Sequence, residues 1–352
     1  MFSPFGQLTA DQRRSKPAVL HPAWVSLGLL CVLVGIFLLS LTQGSVRLSG
    51  SEFVAALLRQ ESAQTAEVAR LHQTIVWDLR LPRAIAALLV GSSLGLSGAL
   101  LQGMLRNGLA SPFLLGISAG SGLAAILIVG LGILNLWLPL GAWLGGMVTI
   151  TLVYLLARTR TGISVERLIL GGVAFSTLFG AVQSMLLLLS PDGQAQAALT
   201  WLIGSLNGRS WQEISVAGPS ILVALVGGCL LARSLNVLSL GDDLAVGLGL
   251  SLVRSRCLIG AAAALLAAGA VSIAGLVGFV GLIVPHGVRL LVGTDYRIVL
   301  PLSAVGGAIV LATADLLARL GPTEVPVGIV TSLIGAPIFL WLLYRRSGGG
   351  AF

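Results

Sequence analysis

Lysine is almost absent from this chain. Lys16 is the only one, and arginine supplies the rest of the 21 basic residues, against 13 acidic residues and a net charge of +8. Charged residues of both signs make up only 10% of the 352 positions, where a soluble domain carries about 25%. The lone lysine is not preceded by glycine, so no GxxxxGK[ST] phosphate loop exists and the chain has no nucleotide site of that type. Histidine is scarce as well: His21, His72 and His286 are far apart, and no HExxH or paired-carboxylate motif accompanies them. The three cysteines, Cys31, Cys229 and Cys257, lie in or beside apolar runs without CxxC spacing. They read as small apolar residues, not as a zinc site or a disulfide framework. No catalytic residue, metal site or cofactor is expected. Acids inside the apolar runs are few. Asp315 and Glu324 both fall near a run's end, whereas an ion-coupled secondary carrier would place acids near the midplane of several spans.

What the chain has in abundance is apolar length. Hydrophobic residues are 56% of the sequence and the mean hydropathy is +0.99. Runs of ~20 apolar residues match the ~30 Å hydrocarbon core of a bilayer. Ten spans are predicted, at about 23–43, 80–103, 115–137, 139–157, 166–190, 213–233, 256–275, 276–292, 299–319 and 326–344. The expected fold is all-α, a polytopic transmembrane helical bundle forming a single domain over 1–352. The first run follows a polar tail, 1–22, and is too long for a signal-peptide core, so it reads as an uncleaved span. With the N-terminus inside, fourteen basic residues fall on the inner side and seven on the outer (Arg47, Arg59, Arg70, Arg80, Arg83, Arg209, Arg319). This follows the positive-inside rule and accounts for the basic balance without nucleic acid.

Glycine placement predicts close packing. Gly91, Gly95 and Gly98 share one helical face with Gln102 next in register, Gly275, Gly278 and Gly281 recur every three residues, and Gly141 and Gly145 form GxxxG. Pro285 and Pro337 interrupt apolar runs and are expected to kink or break helices. A short amphipathic stretch (Phe53, Leu57, Leu58) is expected at the surface of the 44–79 segment. Between the sixth and seventh spans, residues 235–256 predict a short cytoplasmic helix–turn–helix. Asp242 and Asp243 sit at its start, and Leu240, Leu244 and Leu248 form an apolar stripe. Gly247 and Gly249 follow as turn residues. Such a segment suits docking or an ordinary interfacial loop equally.

Five segments in this order resemble the permeases of the iron-siderophore, haem and vitamin B12 class of ABC importers: RLPR (Arg80 to Arg83), SGALLQGMLRNGLASPFLLGISAG (Ser97 to Gly120), LGDDLAVGLGL (Leu240 to Leu250), GFVGLIVPHGVRLLVG (Gly278 to Gly293) and EVPVGIVTSLIGAPIFLWLL (Glu324 to Leu343). The resemblance covers about Leu79 to Leu343. It implies ten helices per subunit, a dimer with a second permease copy or a paralogue, two cytoplasmic ATPase subunits and an extracytoplasmic substrate-binding protein, in the bacterial inner membrane. It implies that Leu240, Gly241, Asp242, Asp243, Leu244 and Leu248 couple to the ATPase. It implies that Arg80, Arg83 and Arg319 dock acidic residues of the binding protein, a use that suits paired guanidinium–carboxylate hydrogen bonds. The alternative for these arginines is local pairing, Arg319 with Asp315 and Arg80 with Asp78. Ser164, Val165 and Glu166 resemble the inner gate, although small hydroxyl residues are commoner there. Gly108, Ser111 and Tyr296 also depart from the family's usual residues. The expected function is ATP-driven import of a metal chelate by alternating access, with ferric siderophore ahead of haem or cobalamin. An ion-coupled carrier and an integral-membrane enzyme stand as competitors.

Overall fold

The structure, a computed structural model, describes residues 21–347 apart from 45, 47, 60–65, 133–136, 160, 161 and 322. Most of the 1–22 tail, together with Arg47 and Arg160 of the charge count, therefore lies outside the described residues.

Each expected span has its helix. These are α1 (Pro22–Thr42), α4 (Leu81–Leu105), α5 (Ile117–Gly130), α6 (Leu138–Ala157), α7 (Val165–Leu189), α9 (Trp211–Leu230), α12 (Leu252–Ala274), α13 (Val280–Val292), α14 (Tyr296–Ala318) and α15 (Val327–Ser347). Seven are long and apolar enough to cross a membrane, and α5, α13 and the apolar part of α15 are shorter. The chain is thus an all-α, multi-pass membrane protein. Short helices connect the spans: α2 (Gly50–Leu57), α3 (Ala66–Thr74), α8 (Asp192–Ile203), α10 (Ala232–Leu238) and α11 (Asp242–Gly247). One two-stranded hairpin, β1 (Arg158–Thr159) with β2 (Gly162–Ile163), joins α6 to α7.

Helix α4 is the axis of the bundle, packed on α14, α12, α13 and α9. Its glycines explain why. A Cβ on Gly91 would run into the Gly307 carbonyl, one on Gly95 into that of Ser303, and one on Gly98 into that of Gly281. Helix association in lipid rests on van der Waals contact between backbones brought close by small residues, so α13 and α14 lie almost backbone to backbone with α4. The polar residues of α4 find partners: Ser97 Oγ donates to the Ala263 carbonyl at 2.8 Å, and Gln102 Nε2 donates to the carbonyls of Gly281 and Leu282 at 3.3 and 3.2 Å. The hydropathic windows of α4 and α12 are each 78% buried, against 11% for α1 and 6% for α7. Those two peripheral helices face what surrounds the bundle.

Several local expectations change. The third span stops at Gly130 and not at 137, and Gly132 turns the chain at φ +64°. Gly275 ends α12 and Gly278 lies in the following turn, so only Gly281 of that trio is helical. Pro285 and Pro337 sit inside α13 and α15 and break neither, as do Pro219 in α9 and Pro301 in α14. In a membrane bundle, neighbouring groups re-satisfy the backbone that proline frees. Phe53 is buried in a satellite cluster with Ile75 and Val76, while Leu58 is exposed.

Candidate functional sites at the two ends of the bundle

Twenty-five residues at ~1.5 Å rise separate the two ends of α4 by about 37 Å. Each end carries a cluster of charge, and the two are built differently.

At the first end, Arg80 closes a π-helical turn (Ile75–Arg80) that leads into α4, and Arg83 follows on the first turn of α4. Arg80 reaches the C-terminus of α1, where carbonyls lack intrahelical partners. Its guanidinium donates to the carbonyls of Leu41 at 2.8 Å, Thr42 at 2.9 Å, and Val46. The alternative of an Arg80–Asp78 pair is therefore not what forms. Arg83 and Arg319 share the carboxylate of Asp315, which is 1% exposed, with N–O distances of 3.0 and 2.8 Å. Arg83 also pairs with Glu324 at 2.9 Å, and Arg319 donates to Ser40 Oγ at 2.7 Å. The local Asp315–Arg319 pair thus exists, extended into a cluster that ties α1, α4 and α14 together.

A fourth arginine joins them that the sequence reading had not singled out as a site. Arg209 lies in the loop before α9, donates to the Ser205 carbonyl at 3.2 Å and faces Glu213 at 3.7 Å. Burial pulls its guanidinium below the ordinary value and Glu213 offsets part of that, which leaves an arginine charged at any working pH. Its local signal is the capping box that follows: Ser210 Oγ accepts from the Gln212 N–H, and the Ser210 N–H donates to Glu213 at 2.9 Å. Arg80, Arg83, Arg209 and Arg319 line one cavity of about 270 Å³ with Asp78, Asn207, Ser210 and Glu324. Four guanidiniums face two carboxylates in the lining, and Asp315 and Glu213 pair with three of them from outside it. Glu324, 30% exposed, is the outermost of the paired ones.

At the second end, the hinge glycine Gly241 (φ +110°) leads into α11. Asp242 is held between Arg106 at 3.4 Å and Arg256 at 2.8 Å. Asp243, one residue on, is exposed and has no partner among the described residues. Ala245 anchors α11 in the core, and Gly249 (φ +81°) reverses the chain. Leu240, Leu244 and Leu248 are 56%, 61% and 65% exposed, and Val246, absent from the expected stripe, is 57% exposed. The neighbouring α10 is fixed to α14: Asn236 donates to Asp295 at 2.6 Å and accepts from the Tyr296 N–H at 2.9 Å. The Arg297 N–H and the Asn236 amide hold the Asp295 carboxyl below the ordinary aspartate value.

The expected gate residues lie at this same end. Ser164 caps α7 by accepting from the Arg167 N–H at 3.3 Å, Val165 begins the helix, and Glu166 stands in its first turn. The structure thus brings Asp242 and the Ile163 carbonyl, next to Ser164, onto Arg256, and Arg83 and Arg319 onto Asp315, while Arg80 is held separately by the carbonyls after α1. Among the described residues no three His, Cys, Asp or Glu side chains meet as a metal site. All three cysteines are free.

Residues 31–345 match the FecCD transport family. The chain is 40% identical to the hemin transport system permease protein HmuU of Yersinia pestis, over 77% of this chain and 84% of that protein. It is 42% identical to the cobalamin import system permease protein BtuC of Halobacterium salinarum, over 78% and 74%. It is 38% identical to the Fe(3+)-citrate import system permease protein YfmE of Bacillus subtilis, over 95% and 97%. A solved metal-chelate type ABC transporter in an inward-facing conformation superposes with a TM-score of 0.82 at 33% identity, covering 92% of this chain and 99% of that one.

Proposed function

This chain belongs to the FecCD transport family and is a permease of an ABC importer for iron-siderophore, haem or vitamin B12 chelates, and from that premise we propose that its cargo is a ferric siderophore. The near full-length similarity to a ferric citrate permease agrees with an iron chelate, and a vitamin B12 permease of Klebsiella pneumoniae, matched over the same length, makes cobalamin the competing cargo. In this reading the chain is one transmembrane permease domain in the bacterial inner membrane. It pairs with a second copy or a paralogue, receives cargo from an extracytoplasmic binding protein, and is driven by two cytoplasmic ATPase subunits. Transport proceeds by alternating access.

The observation that carries the reading is the exposed apolar face around α11 beside an internally paired charge. Leu240, Leu244, Val246 and Leu248 project outward from a segment whose own carboxylate, Asp242, is engaged inward. An apolar patch of this kind outside a membrane span marks a contact surface, and we assign it to the ATPase subunit, with Asp243 free to meet a basic group there. At the opposite end, Arg80, Arg83 and Arg319 receive the binding protein through exchange. An incoming carboxylate takes the place of Glu324 on Arg83, while Asp315 stays fixed. Ser164, Val165 and Glu166 form the inner gate.

The test is ATP-dependent uptake of radiolabelled ferric siderophore, haem and cobalamin into proteoliposomes holding the whole complex with its binding protein. Uptake of ferric siderophore alone, lost in Leu244→Asp/Leu248→Asp, is the expected result. Uptake of haem or cobalamin instead overturns the cargo assignment. Transport driven by an ion gradient without any co-purified ATPase overturns the reading as a whole.

A further inference from the structure

We propose that Arg256 is the positioning residue through which movement of α11 reaches the start of α7, an inference that rests on the importer reading above. The guanidinium is almost fully buried and reaches two separate parts of the chain. Nη2 donates to both oxygens of Asp242 at 3.0 and 2.8 Å, which fixes the first turn of α11. Nη1 points at the carbonyl of Ile163, 3.5 Å away, the last residue of β2 and one before the Ser164 cap of α7. The backbone of the same residue is held from a third side: its carbonyl accepts from Tyr154 Oη of α6 at 3.2 Å. Arg256 itself belongs to α12, which is among the most buried helices of the bundle.

The geometry favours transmission over simple support for two reasons. Both oxygens of Asp242 are held by the one nitrogen Nη2, a charge-assisted contact that resists separation, so α11 cannot move away without carrying Arg256 or breaking both bonds. The connection on the gate side is short. β1 and β2 are two residues each, and the Ser164 N–H donates to the Ala157 carbonyl at 3.1 Å, so the hairpin is tied back to the end of α6. A displacement delivered at Ile163 therefore passes to the first turn of α7 and is not absorbed in a loop. Arg106, the second partner of Asp242, is more exposed and 3.4 Å away, and it holds the α11 carboxylate to the end of α4 without reaching the hairpin. The Nε–H of Arg256 is buried with no acceptor among the described residues, so this side chain has one donor unused in the observed arrangement.

The experiment compares wild type, Arg256→Gln, Arg256→Lys and Asp242→Asn in the full complex. ATP hydrolysis and ferric siderophore uptake are measured in the same proteoliposomes. Arg256→Gln is expected to retain the co-purified ATPase and its hydrolysis while raising the ATP spent per chelate imported about tenfold, and Asp242→Asn is expected to raise the same ratio. The double variant should be no worse than either single one, because both break the same link, and Arg256→Lys should recover part of the coupling. A merely structural role would lower assembly, hydrolysis and uptake together. Hydrolysis and uptake that stay coupled in Arg256→Gln overturn the proposal while leaving the importer reading intact. A wild-type complex without ATP-driven uptake overturns the importer reading itself. Should Arg256→Gln fail to fold, spin labels at Leu248→Cys and Glu166→Cys, in a chain with Cys31, Cys229 and Cys257 replaced by Ser, give the answer in the otherwise native protein. Their separation should stay constant when a non-hydrolysable ATP analogue binds, and a change in it refutes concerted movement.

Discussion

The two ends of α4 hold similar side chains in opposite ways. At the end near Arg83, a carboxylate that is 1% exposed is shared by two arginines, and the cavity beside them is lined by four arginines with two carboxylates. At the end near Arg106, the carboxylate of Asp242 is 36% exposed and the outward-facing groups are leucine and valine. In each place the strongest electrostatic contacts point into the protein and fix its elements, and whatever remains outside is what a partner can meet. At one end that remainder is a part-exposed carboxylate, Glu324. At the other it is an apolar stripe with one unpaired acid, Asp243. Charged residues located in sequence therefore mark where a surface is anchored more reliably than they mark its contact atoms.

The sharpest test of this contrast removes one carboxylate from each end. Asp315→Asn strips the shared partner from Arg83 and Arg319, and breaking a buried pair costs about 3–5 kcal/mol. A large loss of folded protein and of thermal stability in detergent is expected. Asp242→Asn should cost less by the same measurement, about 1–3 kcal/mol, since its carboxylate is 36% exposed although Arg256 opposite is buried. Equal losses would erase the distinction between the ends. Between them, Gly98→Ala should destabilise by about 1–3 kcal/mol as an overpacked contact, because its Cβ would meet the Gly281 carbonyl. Unfolding by denaturant in detergent reads this directly.

Smaller effects separate the helix caps at the two ends. Ser210→Ala at the arginine end removes a cap and should cost about 1 kcal/mol at any pH where the protein is folded. The cap of α14 at the other end, Asp295, titrates. Its carboxyl lies below the ordinary ~3.9 in the fold. Its contribution is therefore complete above about pH 4 and is lost as pH falls through the lowered folded value. Thermal stability of the wild type should fall more steeply below pH 4 than that of Asp295→Asn. A parallel decline would remove Asp295 from the account.

Much of the fold was legible because lipid imposes length and small-residue spacing. The face of Gly91, Gly95 and Gly98 was readable from periodicity alone, since glycine repeats on a helix mean backbone contact. Helix α8 was not, because Asp192–Ile203 mixes glutamine and alanine with few strongly apolar residues. Pro285 and Pro337 break neither helix, because a missing N–H that breaks a helix in water is tolerated within a bundle. The partners of Arg80 were invisible for another reason: they are backbone carbonyls 34 to 39 residues away, which no side-chain pattern encodes. Likewise, nothing in the fourteen-residue spacing of Asp242 and Arg256 announces a pair, although each was placed on the same side by charge. Val246 escaped because it falls off the every-fourth-residue stripe, on a helix too short and too exposed for one face to be hidden.

The burial of α4 also sets a problem of biogenesis. Its Gly91 face is completed by Gly307, about 200 residues further along the chain, which at ~5–20 residues per second of synthesis is a wait of roughly 10–40 s. Through that interval the helix that ends at the centre sits in the bilayer with its close-contact groove facing lipid and Gln102 lacking the acceptors on α13. Nascent chains cut short before α14 should therefore be held by membrane insertion factors or cleared by quality-control proteases, and the last third of the gene decides whether the first helices survive.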